Sequence, residues 1–188
     1  MPRLTYYDTS RFVREHVHGH AHKDMVVLHE TVSPDAPGLK DIIAIESYLA
    51  AKDFGIHGMT DAEGNIAWAR GYGNAILWQA GGVNSRSIGI EQVSRAPYPP
   101  NALSYWINRP KQLRATAHLL AAIHNTWDIP LVYSDGLTPG VCGHWNVSQH
   151  FPQSEGHIDV WPRHKGGNYP LLSVIKLAKT YALTGVTL

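Results

Sequence analysis

The chain has 188 residues, 44% of them hydrophobic and 16% charged, with a formal net charge of +1. That length and apolar content suit one domain around one core, and the near-neutral balance lacks the basic footprint of a nucleic-acid binder. The single cysteine, Cys142, excludes an internal disulfide, and no stretch approaches the roughly 20 apolar residues of a membrane span. Twelve histidines are the compositional oddity. Their protonation on acidification would strengthen attraction to an anionic polymer.

In chain order, residues 1–24 read as an approach segment to a single domain over 25–188. The first eight residues lack the apolar core of a secretory signal. His16, His18, His20 and His22 alternate, so an extended chain would set them on one face, as a solvated segment able to pick up stray metal. Residues 25–29 form a short apolar run suited to a buried strand, and 33–38 are rich in turn residues. Leu39, Ile42, Ile43, Leu49 and Ala50 recur at helical spacing, which predicts an amphipathic helix over 39–52. Residues 56–59 and 66–70 flank a glycine-containing turn and predict an antiparallel hairpin.

Residues 71–83, rich in glycine and aromatics, predict a rim or binding loop. A strand follows over 87–93, then a link containing Pro97, Pro99 and Pro100. Beyond it lies the longest helix, with Asn108 as its expected cap, Pro110 at its first turn and Leu113, Ala117, Leu120 and Trp127 on its apolar face. Residues 131–133 suit a short strand and 141–147 another. Residues 148–169 read as a long loop, and Leu171, Val174, Ile175, Ala178 and Ala182 mark a closing helix. The expected architecture is α/β, a mixed central sheet flanked by helices with the site at one end.

Three segments far apart carry groups that bind or activate metal-bound water: His29 with Glu30, Glu91, and His144 followed by His157 and Asp159. A catalytic zinc site takes three protein ligands, commonly two imidazoles and a carboxylate, with a nearby carboxylate as general base. His29, His144, Asp159 and Glu91 supply that set. Glu30 adjoins His29 and on a strand would face away from it, which favours Glu91 as base. Each segment alone is also what an apolar strand ending in a hydrogen-bonded histidine would look like. Cys142 lies two residues before His144, so on a strand its thiol could approach the metal, although a small buried residue is the better reading.

The run ending His29-Glu30-Thr31, the phrase Ser87-Ile88-Gly89-Ile90-Glu91, the helix from Gln112 to Pro130, and Gly143-His144 resemble the zinc-dependent N-acetylmuramoyl-L-alanine amidases. That family includes the peptidoglycan recognition proteins and many bacteriophage endolysins. The resemblance covers roughly residues 25–169 in consistent order. It implies a peptidoglycan recognition protein-like fold, one Zn2+ per chain, and hydrolysis of the amide between N-acetylmuramic acid and L-alanine. The partner implied is peptidoglycan, with no nucleic acid and no membrane, and a monomer is expected. By position His29, His144 and Asp159 resemble the three ligands and Glu91 the base. His157 stands where the family often has a lysine that stabilises the developing oxyanion.

Two features depart from the family pattern. The step from His144 to Asp159 is long, leaving His150 and His157 as competing ligands, and no proline directly follows Asp159. His57 lies where the family often has a histidine near the site, as a candidate substrate contact or a hydrogen-bonded core residue. Trp78, Tyr72 and Asn84 precede Glu91 and are candidates to touch sugar or peptide, against the ordinary expectation that tryptophans pack in the core. The resemblance also implies synthesis in the cytoplasm of a host cell and action on the wall after the membrane is permeabilised. The competing readings are a wall-binding module without catalysis and a zinc hydrolase of another amide or ester.

Overall fold

The computed structural model describes residues 6–33, 39–95 and 103–188. Most of the turn expected at 33–38, and the link containing Pro97, Pro99 and Pro100, lie outside them. Six strands form one sheet: β1 (Tyr6–Asp8), β2 (Met25–Glu30), β3 (Gly58–Thr60), β4 (Ile66–Trp68), β5 (Ser87–Gln92) and β6 (Gly140–Gly143), in the order β1-β4-β3-β5-β2-β6. Only β3 and β4 pair antiparallel, as the hairpin expectation required. The expected mixed sheet flanked by helices is what the chain forms.

Alternation along the central strands sorts the core into two layers. Val26, Leu28, Ile88 and Ile90 point to one face, where they are closed over by α4 (Pro110–Trp127) and α6 (Leu171–Ala182) through Leu119, Leu120, Ile123, Val174 and Ile175. Each such side chain, fully buried, contributes roughly 1.5–3 kcal/mol relative to exposure. Met25 and Val27 point the other way, against Ala80, Val83, Cys142 and Val147. Beside them α2 (Lys40–Ala50) covers Met59 and Ala67 through Ile42. His29 and Glu91 share the phase of Val27 and Gly89, so they emerge on this second face.

Several details differ from expectation for identifiable reasons. Asn108 does not cap α4. Arg109 holds that position without a side-chain cap bond, and its guanidinium lies 4.2 Å over the Tyr105 ring and donates to the Val93 carbonyl. A short helix, α3 (Leu103–Ile107), precedes it. The segment 131–133 makes only a bridge, Tyr133 to Val141. The strand expected over 141–147 ends at Gly143, and His144 begins α5 (His144–Ser148). The loop over 148–169 is organised by two 3-10 turns, Pro152–Ser154 and Arg163–Lys165. Within the segment expected as an approach, β1 joins the sheet edge beside β4, α1 (Ser10–Val13) follows it, and Val13 is buried against Ala69, Ala75 and Leu77.

Glu46 of α2 is 1% exposed, and its Oε1 has no hydrogen-bond partner. Burial lifts its pKa to about 8, with the charge of Glu91 acting in the same direction. An acid whose folded pKa is raised binds its proton more tightly than the unfolded chain does, so stability falls as pH rises from about 4.5 to about 8. Glu46→Gln is expected to flatten that decline and raise the melting temperature at pH 8 while changing little at pH 4, as read by thermal unfolding across pH.

Candidate metal centre and cleft

The site is assembled at the carboxyl ends of the parallel strands, where open α/β sheets place their ligands. In the β2–β5 register His29 stands opposite Glu91, and in β2–β6 Leu28 stands opposite Gly143, so His144 follows one residue beyond. Asp159 reaches the same point from the long loop. A Cβ on Gly143 would lie 1.8 Å from the Val160 carbonyl oxygen, so only glycine lets that loop approach. The Trp145 N–H then donates to the Asp159 carbonyl at 2.7 Å.

Nδ1 of His29 and Nδ1 of His144 lie 3.5 and 3.6 Å from the same oxygen, Oδ2 of Asp159. Those separations are long for hydrogen bonds. Atoms bonded to a tetrahedral zinc at about 2.0–2.2 Å stand about 3.4 Å apart, so the spacing fits a shared ion. All three ligand atoms fall within 4.8 Å of one another, and they form the group of metal-binding type found among the described residues. His150 is exposed and outside it. His157 is not part of the group either: its ring stacks on His144 at 4.1 Å, with Nδ1 3.5 Å from the other Asp159 oxygen.

The remaining imidazole nitrogens are held by protein. His29 Nε2 donates to Gln79 Oε1 at 2.5 Å, Gln79 Nε2 donates to Ser87 Oγ at 2.5 Å, and Ser87 donates to the Val83 carbonyl. His144 Nε2 donates to Ser154 Oγ at 3.3 Å, and Ser154 donates to the Gly81 carbonyl. With Nε2 carrying the proton, each Nδ1 presents its lone pair toward Asp159. Burial lowers the His144 pKa to about 4. For Asp159 burial would raise the pKa, but the three surrounding histidines hold it well below the usual carboxylate range. For His29 burial lowers, and the Asp159 and Glu91 carboxylates overcome it and raise the pKa. An ionised carboxylate beside a neutral imidazole is the donor set a divalent cation takes. Burial raises Glu91 to about 7, opposed by His29.

These groups line a cavity of about 720 Å³. The structure removes His57 and Tyr72 from the candidate substrate contacts there and bears out Cys142 as a small buried residue. His57 is fully buried, takes the Gly89 N–H on Nδ1 and donates Nε2 to the Ala75 carbonyl, both at 3.0 Å, so it has no nitrogen left for substrate. Tyr72 packs beside Ala69, Ala75 and Leu77 and does not line the cavity. Asn84 lines it, but its Oδ1 accepts the Gln79 and Ala80 N–H groups, so it shapes the loop. Cys142 faces the buried layer with Val27 and Val147, its thiol pushed up by burial, because the chain leaves the strand before His144. Trp78 does line the cavity, 45% exposed. Sequence reasoning missed Gln79, Ser87 and Ser154, since a neutral amide or hydroxyl carries no local signature of a ligand-orienting role.

The fold and the site together define a mixed-sheet α/β protein with a His, His, Asp group of metal-binding type and a buried carboxylate beside it. The family model for N-acetylmuramoyl-L-alanine amidase matches residues 19–164, and the chain belongs to that family. No curated protein matches the chain in sequence. Among solved structures it is similar to the Staphylococcus aureus hydrolase AmiA, at 18% identity and a TM-score of 0.66, covering 98% of this chain and 87% of that one. It is also similar to the endolysin amidase LysCS from Clostridium intestinale, at 20% identity and a TM-score of 0.55, covering 93% of each chain. The AmpD structure matches at 14% identity and a TM-score of 0.58, covering 100% and 96%. At these identities the structural likeness establishes the peptidoglycan recognition protein-like amidase fold.

Gly89 carries one consequence of this packing. A Cβ there would lie 2.6 Å from Ile56 Cδ1 and 2.9 Å from Gln79 Cδ, so Gly89→Ala is expected to cost about 1–3 kcal/mol and to displace Gln79 from His29. Denaturant unfolding measures the first effect, and loss of the protected His29 Nε2 proton signal in NMR measures the second.

Proposed function

We propose that this chain hydrolyses the amide joining the lactyl group of N-acetylmuramic acid to L-alanine in peptidoglycan, using one zinc ion held by His29, His144 and Asp159, and so degrades bacterial cell wall. The observation that carries the reading is the convergence of those three side chains on one point with Glu91 on the adjoining strand. Family membership supplies the reaction class. The complete ligand set favours catalysis over a binding-only module. Bound there, zinc would supply Lewis acidity, polarising a carbonyl and acidifying water.

Glu91 takes the proton from the attacking water and returns it to the alanine nitrogen as the amide breaks. Burial suits it to this task, since a carboxylate with its pKa near neutrality can accept and release a proton at working pH. Gln79 and Ser154 keep His29 and His144 in one tautomer and orientation. In this reading His157, half-exposed and stacked on His144, donates an N–H to the developing oxyanion. Its site of action in this proposal is the wall, reached from the cytoplasm of a host cell after the membrane is permeabilised.

Digestion of purified peptidoglycan with mass analysis of the products tests the reaction. Free stem peptides beginning with L-alanine are expected, lost with a chelator and restored by zinc. Products cut elsewhere, or activity indifferent to chelation, would overturn it. The division of roles is tested by Glu91→Gln, expected to keep one zinc per chain by metal analysis and to lose about 10²–10⁴ of turnover. Loss of zinc along with activity would contradict it.

A further inference from the structure

We propose that buried Lys23 is a positioning residue for both metal-type histidines: it holds the 79–84 loop at the Asn84 carbonyl, and that loop carries the supports of His29 and His144. The inference rests on the zinc hydrolase reading above and extends it to a side chain that does not line the cavity. Lys23 stands two residues before β2, the strand that carries His29 near its end.

Lys23 is 1% exposed, and its Nζ donates to the Asn84 carbonyl at 3.1 Å. Burial lowers its pKa to about 8, with no carboxylate among the described residues opposing the shift. An ammonium withdrawn from water without an ionic partner is costly. Packing alone does not account for a lysine here, since a methionine would fill similar space without that cost. What the ammonium adds is a hydrogen-bond donor fixed on the loop.

Asn84 passes the restraint along the loop. Its Oδ1 accepts the Gln79 N–H at 3.0 Å and the Ala80 N–H at 2.7 Å, and Gln79 Oε1 accepts from His29 Nε2. At Gly81 the loop carbonyl accepts from Ser154 Oγ at 2.8 Å, and that same hydroxyl is the partner of His144 Nε2. Both imidazoles are therefore oriented by one short loop. Its other side has little freedom: a Cβ on Gly81 would lie 2.6 Å from Gln153 Cβ, and one on Gly82 2.4 Å from the Phe151 ring. Its downstream end is tied by Arg86, which donates to both Asp24 oxygens at 2.8 and 2.7 Å. Lys23 supplies the attachment at Asn84 itself, the residue that binds Gln79.

NMR of the metal-free protein gives the first readout. In Lys23→Met the protected Nε2 proton signals of His29 and His144 are expected to broaden or disappear, with the unfolding temperature close to wild type because a desolvated charge leaves together with its bond. Zinc titration is expected to show about tenfold weaker binding, most of it recovered in Lys23→Arg, which keeps a cationic donor. Ile175→Val, on the opposite face of the sheet, is expected to lower the unfolding temperature and to bind zinc as wild type does. In the Gln79→Ala background Lys23→Met is expected to cost less zinc affinity than it does alone, since one of its two routes is already cut. Wild-type proton signals and zinc affinity in Lys23→Met, full additivity with Gln79→Ala, or a loss of zinc that Ile175→Val reproduces, each overturns the positioning role. Failure of Lys23→Met to fold overturns it as well, by making the lysine a determinant of the whole fold. If wild type binds no zinc while Lys23→Met still loses the two signals, the positioning role stands and the hydrolase reading falls. If wild type binds zinc and releases peptides beginning with L-alanine, and Lys23→Met is indistinguishable from it, the hydrolase reading stands alone.

Discussion

The arrangement depends on the register of β2 between β5 and β6. Because His29 is paired with Glu91 and Leu28 with Gly143, three groups separated by tens of residues in sequence arrive at one sheet end with no adjustable loop between them. A slip of one residue in β2 would turn His29 toward α4 and α6 and put an aliphatic side chain in its place. The register is defended by the apolar layer beneath: Val26, Leu28, Ile88 and Ile90 are all buried on the α4/α6 side, so the slip would also drive polar His29 into that core. Site geometry and core packing are thus enforced by the same pairing.

Asp159 is the member that does not sit on the sheet, and it is secured differently. Gly143 leaves room for the Val160 backbone, Trp145 binds the Asp159 carbonyl, and the Glu30 N–H lies 3.4 Å from the carboxylate. Backbone groups therefore fix the loop and orient the carboxylate toward the imidazoles. Electrostatics follow from this placement. Three histidines keep Asp159 ionised while burial keeps His144 neutral. Glu91, buried on the neighbouring strand without a hydrogen-bonded cation, is pushed toward neutrality. Two carboxylates a strand apart are thereby held in different proton states by their surroundings, which is the condition for one to bind and the other to move a proton.

Much of the sheet and the residues of the metal-type group were legible because each is announced by a local pattern. Apolar runs ending in His29 and Glu91 read as buried strands, and helical periodicity announced α2, α4 and α6. What was not legible depends on contacts between segments. Nothing local distinguishes Asn108 from Arg109 as the residue before α4, since the choice rests on where Tyr105 and the Val93 carbonyl lie. His57 reads as a site residue because it is a histidine in the right stretch, yet the Gly89 and Ala75 backbones absorb both of its nitrogens. Gln79 reads as nothing in particular, although the space left by Gly89 turns it into the partner of His29.

The two faces of the sheet divide the physical demands between them. The α4/α6 face is a mainly apolar layer in which buried Gln92 accepts from the Tyr169 and Thr116 hydroxyls, so most of the stability drawn from it is apolar burial. The opposite face carries His29, Glu91 and His57, and it tolerates them because each is answered by a specific acceptor, donor or neighbouring charge. Such a face cannot be closed by a long helix, which would bury the site. It is covered instead by α2 at one side and by the glycine-containing loop 79–84 at the other, with Phe151 packed on Gly82 and Gln153 on Gly81. The gap left between those two covers is the cleft, with Tyr48, Phe54 and Trp78 exposed along it.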